Sequence, residues 1–173
     1  MLYSKYRDKI KSGDLLIWET RKIESKIDLL LKVYQKIGKT NFTHVGIALV
    51  LNNRVFCIEA TPPVVRLIPL SLLDDFKIIH LETNWDKNYE DLLFQQLGKQ
   101  YSIIDYLSTV FGMKTNTDNF YCSEFVSYFY KEIGLIADID LGETPKSIVE
   151  YFINKLNTQP IDVQIDKGNL SEL

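Results

Sequence analysis

Thiol and imidazole are scarce in this chain: two cysteines, Cys57 and Cys122, and two histidines, His44 and His80, in 173 residues. Two cysteines cannot make the disulfide framework that staples small secreted domains, and with two histidines they are too few for a structural zinc site. No stretch approaches the roughly 18–20 consecutive apolar residues that a membrane span needs. The net charge of −3 supplies no general attraction for nucleic acid or an anionic membrane. The opening Met1-Leu2-Tyr3-Ser4-Lys5-Tyr6-Arg7 mixes charged with apolar residues and does not read as a secretory signal. There is no internal repeat, low-complexity tract or linker. These absences lead to the expectation of a reduced, cytoplasmic protein without metal or organic cofactor.

What is present is enough apolar material, 46% of the residues against 25% charged, for one compact domain. Ser12-Gly13-Asp14 punctuates the chain before Leu15-Leu16-Ile17-Trp18, a short apolar run that reads as a buried strand. Residues 23–37 carry apolar side chains at helical spacing, with Gly38 where a helix C′ glycine belongs and Lys22, Lys26, Lys32 and Lys36 on the outer face. Two apolar runs, 44–50 and 55–60, flank Asn52-Asn53, which tolerate positive φ and so predict a tight hairpin. Further strands are expected at 64–68 and 77–82, and helices at 89–99, 104–111 and 122–133, the last stopped by Gly134. Thr144-Pro145 opens a final helix, Thr as N-cap and Pro in the first turn, and a last strand is expected at 163–165. Strands in the first half and helices in the second predict an α+β fold, an antiparallel sheet or small barrel packed against helices. The whole chain, 1–173, is expected to form one domain with its core in residues 13–152.

The candidate nucleophile is Cys122, in Tyr121-Cys122-Ser123-Glu124-Phe125-Val126. Apolar residues follow it at helical spacing, which puts it at the start of a helix. There, unpaired N–H groups and the positive end of the helix dipole favour a thiolate, and the same N–H groups can hold an oxyanion. The blander account, a buried structural cysteine, is the commoner one for the residue type. A base tips the balance. With Asn52-Asn53 as the turn, Gly46 faces Glu59 and His44 faces Thr61, so all four share one face of the hairpin. His44 and Glu59 are then diagonal neighbours, about 7–8 Å apart at the backbone, within side-chain reach across Gly46. A carboxylate on the far imidazole nitrogen fixes the tautomer and stabilises the imidazolium. Cys57 sits mid-strand with no helix start to activate it and reads as core. His80, between Ile79 and Leu81, could equally be a solvent-facing residue of an alternating strand.

Taken in order, Gly13-Asp14-Leu15-Leu16, His44-Val45-Gly46-Ile47, Ile58-Glu59-Ala60 and Tyr121-Cys122-Ser123-Glu124-Phe125-Val126 resemble the circularly permuted NlpC-type papain-like enzymes of the YiiX/YebB group. In ordinary NlpC-type peptidases the cysteine helix precedes the histidine strand, whereas here the histidine and glutamate come first. The resemblance spans residues 13–152. It implies Cys122 as nucleophile, His44 as general base and Glu59 as the orienting third member. Leu97-Gly98-Lys99-Gln100-Tyr101 is similar to the family segment whose glycine and tyrosine line the cleft, which makes Tyr101, with Tyr121, a candidate substrate contact. The implied activity is hydrolysis of an amide, peptide or isopeptide bond in a peptide-like or acyl-amide substrate, through a thioester. A lipid acyltransferase or thioesterase would use the same triad, with residues 106–111 as its apolar element, and a catalytically inert binding module would keep the fold alone. The lysine-rich helix at 23–37 has no counterpart that aligns. Neither substrate identity nor oligomeric state is written in these residues.

Overall fold

The structure, a computed structural model, describes residues 1–19, 42–102, 121–137 and 144–166. The helices expected at 23–37 and 104–111, and the apolar stretch 106–111, lie outside the described residues.

Six strands form one sheet: β1 (Leu15–Trp18), β2 (His44–Leu51), β3 (Arg54–Thr61), β4 (Val64–Pro69), β5 (Phe76–Ile79) and β6 (Ile161–Val163). Their order is β4-β3-β2-β1-β5-β6, and every neighbouring pair is antiparallel. Among the described residues, four α-helices accompany it: α1 (Tyr3–Tyr6), α2 (Lys87–Phe94), α3 (Cys122–Glu132) and α4 (Pro145–Leu156). The fold is α+β, as the order of strand and helix patterns predicts.

The sheet is buried on both sides. On one, Leu15, Ile17, Val45, Ile47 and Ile58 pack with Phe125, Val126 and Phe129 of α3 and Ile148, Val149 and Phe152 of α4. On the other, Leu16, Trp18, Ala48, Cys57 and Ile78 meet Tyr3, Tyr6, Ile10, Leu70 and Leu73. Alternating residues of β1 thus serve two cores, which is why that strand is an unbroken apolar run.

Local chemistry sets the joints. Asn52 and Asn53 hold φ of 48° and 61°, the double positive-φ turn that matches strand twist. The resulting ladder pairs Ile47 with Ile58 and Ala48 with Cys57, the register expected from that turn. Thr144 caps α4: the Ser147 N–H donates to Thr144 Oγ1 (3.1 Å) and the Thr144 N–H to Ser147 Oγ (3.0 Å), a reciprocal capping box. Past α3, Gly134 takes φ of 74°, the left-handed C′ position that glycine enters at little cost.

Three boundaries differ from the pattern. The helix expected at 89–99 runs from Lys87 to Phe94. Beyond it the backbone turns to β4 instead: the Gly98 N–H donates to the Val65 carbonyl (2.9 Å) and the Val65 N–H to the Lys99 carbonyl (2.8 Å). The strand expected at 77–82 ends at Ile79, because the Leu81 N–H donates to the Asp14 carboxylate (3.0 Å) rather than to a ladder. The last strand lies at Ile161–Val163, earlier than the 163–165 expected.

Candidate active site

The β2–β3 register brings His44 and Glu59 together. His44 Nε2 lies 2.7 Å from Glu59 Oε2, with His44 only 5% exposed and Glu59 not exposed at all. An ionised carboxylate can only accept, so Nε2 carries the proton and Nδ1 is left for another partner. Cys122, the first residue of α3, acts on the same imidazole through charge and a side-chain hydrogen bond. Burial works against charge on His44, but the charge and hydrogen bond of Cys122, and then those of Glu59, outweigh it and hold the imidazole pKa above its ordinary value. His44 opens β2, and it is at this strand end that the imidazole meets the cysteine helix.

The face of the imidazole is also held. Trp18, paired with His44 across the β1–β2 ladder, places its ring centroid 5.4 Å from that of His44 at an interplanar angle of 50°. The indole N–H in turn donates to the Asp74 carbonyl (3.3 Å). A buried aromatic packed against an imidazole restricts rotation of the ring.

Glu59 has a further partner. Arg66 stands directly opposite it in the β3–β4 ladder and donates to Glu59 Oε1 from Nε (3.0 Å) and Nη2 (2.8 Å). The two carboxylate oxygens therefore divide their work, Oε2 to His44 and Oε1 to Arg66. Cys57, read from the sequence as core, is fully buried, and its sulfur lies 3.9 Å from Glu59 Oε2. The signal for Arg66 was present in the sequence. A turn at Pro62-Pro63 sets β4 against β3, and Arg66 is the one charged residue in an otherwise apolar strand.

Tyr121 immediately precedes α3 in extended backbone, φ −103° and ψ 171°, and is 1% exposed. No side chain caps the helix from this position. Tyr101 is half-buried against the core on the α3 side, and its N–H donates to the Pro63 carbonyl (2.8 Å). It thus belongs to the stretch that runs beside β4 next to Arg66.

The second histidine lies elsewhere. His80 Nδ1 is 2.8 Å from Asp14 Oδ2 and its Nε2 2.7 Å from the Tyr6 hydroxyl. It lies just past β5, its side chain 35% exposed, and both ring nitrogens are engaged. Asp14 is fully buried and also accepts from the N–H groups of Lys11 (2.8 Å) and Leu81 (3.0 Å). Burial pushes its carboxyl pKa up, against the pull of those N–H groups and His80. The Gly13-Asp14 motif is thereby explained as structure. Gly13 has φ of 92°, with Thr83 Oγ1 2.9 Å from where a Cβ would stand, and the Asp14 carboxylate joins its own turn at Lys11 to the distant residues His80 and Leu81.

No family model matches the sequence, and no curated protein matches it. Solved structures do. The metalloprotein YiiX from Escherichia coli O157:H7 superposes with a TM-score of 0.55 at 16% identity, covering 91% of this chain and 89% of that one. The likeness is one of fold: this chain has a YiiX-like α+β fold. A metal ion is not suited to the residues seen here. Among the described residues no group of three or more His, Cys, Asp or Glu side chains could hold one. At the site itself the imidazole and carboxylate are bonded to each other, with a guanidinium against the carboxylate. Among the described residues no helix is long and apolar enough to cross a membrane.

Proposed function

We propose that the protein is a cysteine hydrolase of the permuted papain-like, NlpC-type arrangement, cleaving an amide, peptide or isopeptide bond through a thioester acyl-enzyme. The observation that carries this reading is the imidazole of His44 held between Cys122 and the buried carboxylate of Glu59.

The Cys122 proton passes to His44 Nδ1, and the thiolate attacks the carbonyl carbon of the scissile bond. The backbone N–H of Cys122, at the helix start, stabilises the oxyanion of the tetrahedral intermediate. The imidazolium then gives its proton to the leaving amine as the C–N bond breaks, and the thioester remains. Water, deprotonated by His44, attacks the thioester; the carboxylic acid leaves and the thiol is restored. Throughout, Glu59 holds the ring in one orientation and balances the imidazolium charge. Of the two candidate tyrosines, Tyr101, half-buried beside β4, has surface to offer a peptide-like or acyl-amide substrate, whereas Tyr121 is buried ahead of the cysteine helix.

Alkylation by iodoacetamide between about pH 5 and 9, with mass spectrometry separating Cys57 from Cys122, tests the dyad. An ordinary thiol titrates near 8.5, so rapid modification of Cys122 at pH 6, lost in His44→Ala, is the expected result. An activated acyl ester should also give a burst that Cys122→Ala abolishes. Slow modification of both cysteines, or identical profiles in His44→Ala, would overturn the hydrolase reading.

A further inference from the structure

We propose that Arg66 is a positioning residue of the same site, acting through Glu59 to keep the Cys122–His44 pair charged; this rests on the hydrolase reading above. The argument is one of charge balance in a place with little water. In the reactive form the site holds a thiolate on Cys122, an imidazolium on His44 and a carboxylate on Glu59, a net charge of −1. Glu59 has no exposed surface and His44 almost none, and an unbalanced negative charge so placed draws in a proton. The guanidinium of Arg66, which stays charged at any working pH, brings the sum to zero.

Geometry makes the pairing specific. Arg66 uses Nε and Nη2 together on the single oxygen Oε1, leaving Oε2 for His44. The two strands put the residues face to face, so the guanidinium does not have to search for its partner. The Arg66 side chain is 40% exposed and meets the Cys122–His44 pair through the carboxylate. It thus connects solvent to a buried unit through the Glu59 carboxylate.

The groups around this unit come from each element packed on it. Glu59 and Cys57 lie on β3, Arg66 on β4 and Trp18 on β1. Cys122 and Glu124 lie in the first turn of α3. Among these, Arg66 is the cation whose charge does not depend on pH.

Loss of Arg66 leaves two routes, and both disfavour the thiolate. Either Glu59 takes up a proton and no longer supports the imidazolium, or it stays ionised and its uncompensated charge repels the thiolate. Cys122 alkylation below neutral pH should therefore be slower in Arg66→Gln than in wild type, with the rate profile displaced to higher pH. Arg66→Lys, which keeps the charge but not the fork, should recover part of the displacement.

The decisive measurement is the double variant. If Arg66 acts through Glu59, then Arg66→Gln introduced into Glu59→Gln should leave the alkylation profile of Glu59→Gln unmoved, the non-additivity of two residues that act as one unit. Should Arg66→Gln not fold, as judged by circular dichroism, Arg66→Lys with and without Glu59→Gln carries the same comparison. Superposition of the Arg66→Gln profile on wild type, or full additivity with Glu59→Gln, overturns the proposal while the hydrolase reading stands. Failure of His44→Ala to slow Cys122 in the same series would instead overturn the underlying reading.

Discussion

Gly46 and Cys57 compete for the same space: a Cβ built on Gly46 would stand 2.7 Å from the Cys57 sulfur, 3.3 Å from the Ile58 carbonyl oxygen and 3.4 Å from Glu59 Cβ. The glycine is what lets β2 and β3 close around the diagonal between His44 and Glu59. Gly46→Ala should cost about 1–3 kcal/mol through overpacking, read from urea unfolding. Cys57→Ala in the same chain removes the atom in the way. The double variant should be more stable than the two single losses added together, by about 0.5 kcal/mol or more. Simple additivity would mean that the clash is relieved elsewhere.

His44 should titrate above its ordinary value of about 6.5, since its neighbours outweigh its burial. The sign of the stability effect follows. A histidine whose pKa is raised by folding contributes stability that is fully present below about pH 6.5 and disappears as pH rises through the folded-state value. The difference in unfolding free energy between wild type and His44→Gln should therefore shrink with rising pH. Imidazole NMR signals should give a midpoint above 6.5 in wild type and a lower one in Glu59→Gln. A wild-type midpoint below 6.5 would contradict the arrangement described for the ring.

Asp14 should matter to stability more than to chemistry. Asp14→Ala leaves the N–H groups of Lys11 and Leu81, together with His80 Nδ1, without their acceptor. A cost of about 3 kcal/mol is expected from abandoned buried donors. Tyr6→Phe removes a single hydroxyl from His80 and should cost about 1 kcal/mol. Thermal unfolding distinguishes the two; equal small losses would mean that water replaces the carboxylate.

The hairpin turn offers a conformational test. Asn53 has φ of 61°, so Asn53→Val should lower stability by about 1–2 kcal/mol, the penalty of a left-handed backbone for such a residue. Asn53→Gly should be neutral or slightly stabilising. Melting temperatures of the pair check this, and a harmless valine would show that the turn can re-form in another geometry.

The parts of the fold legible in the sequence are those governed by short-range chemistry. Asn52-Asn53 set a turn, the turn sets a register, and the register puts Glu59 within reach of His44 without any knowledge of the third dimension. Thr144-Pro145 likewise marks the start of α4. What stayed hidden depends on contacts between distant segments. His80 looks solvent-facing from Ile79 and Leu81 alone, and only the path of the chain brings Asp14 and Tyr6 against it. The helix expected through residue 99 loses to β4, whose Val65 takes the backbone groups that a further helical turn would have used. Arg66 falls between these cases. Its strand is legible in the sequence, but its role depends on one more register, that of β3 with β4.

Both outer strands of the sheet have company. Along β4, Val65 exchanges hydrogen bonds with Gly98 and Lys99, and Pro63 accepts from Tyr101. Beside β6, Met1 donates to the Asp162 carbonyl (2.8 Å), the Gln164 N–H to Met1 (2.7 Å) and the Tyr3 N–H to Gln164 (2.8 Å). A sheet with bare margins invites a second sheet to add on, and repeated addition is how strands grow into fibrils. Here the chain hems its own margins with non-strand segments, so the most adhesive part of a six-stranded sheet is spent inside the molecule. Stripping either hem, by trimming Met1 to Ser4 or breaking the Gly98 turn, turns a folding question into a solubility question.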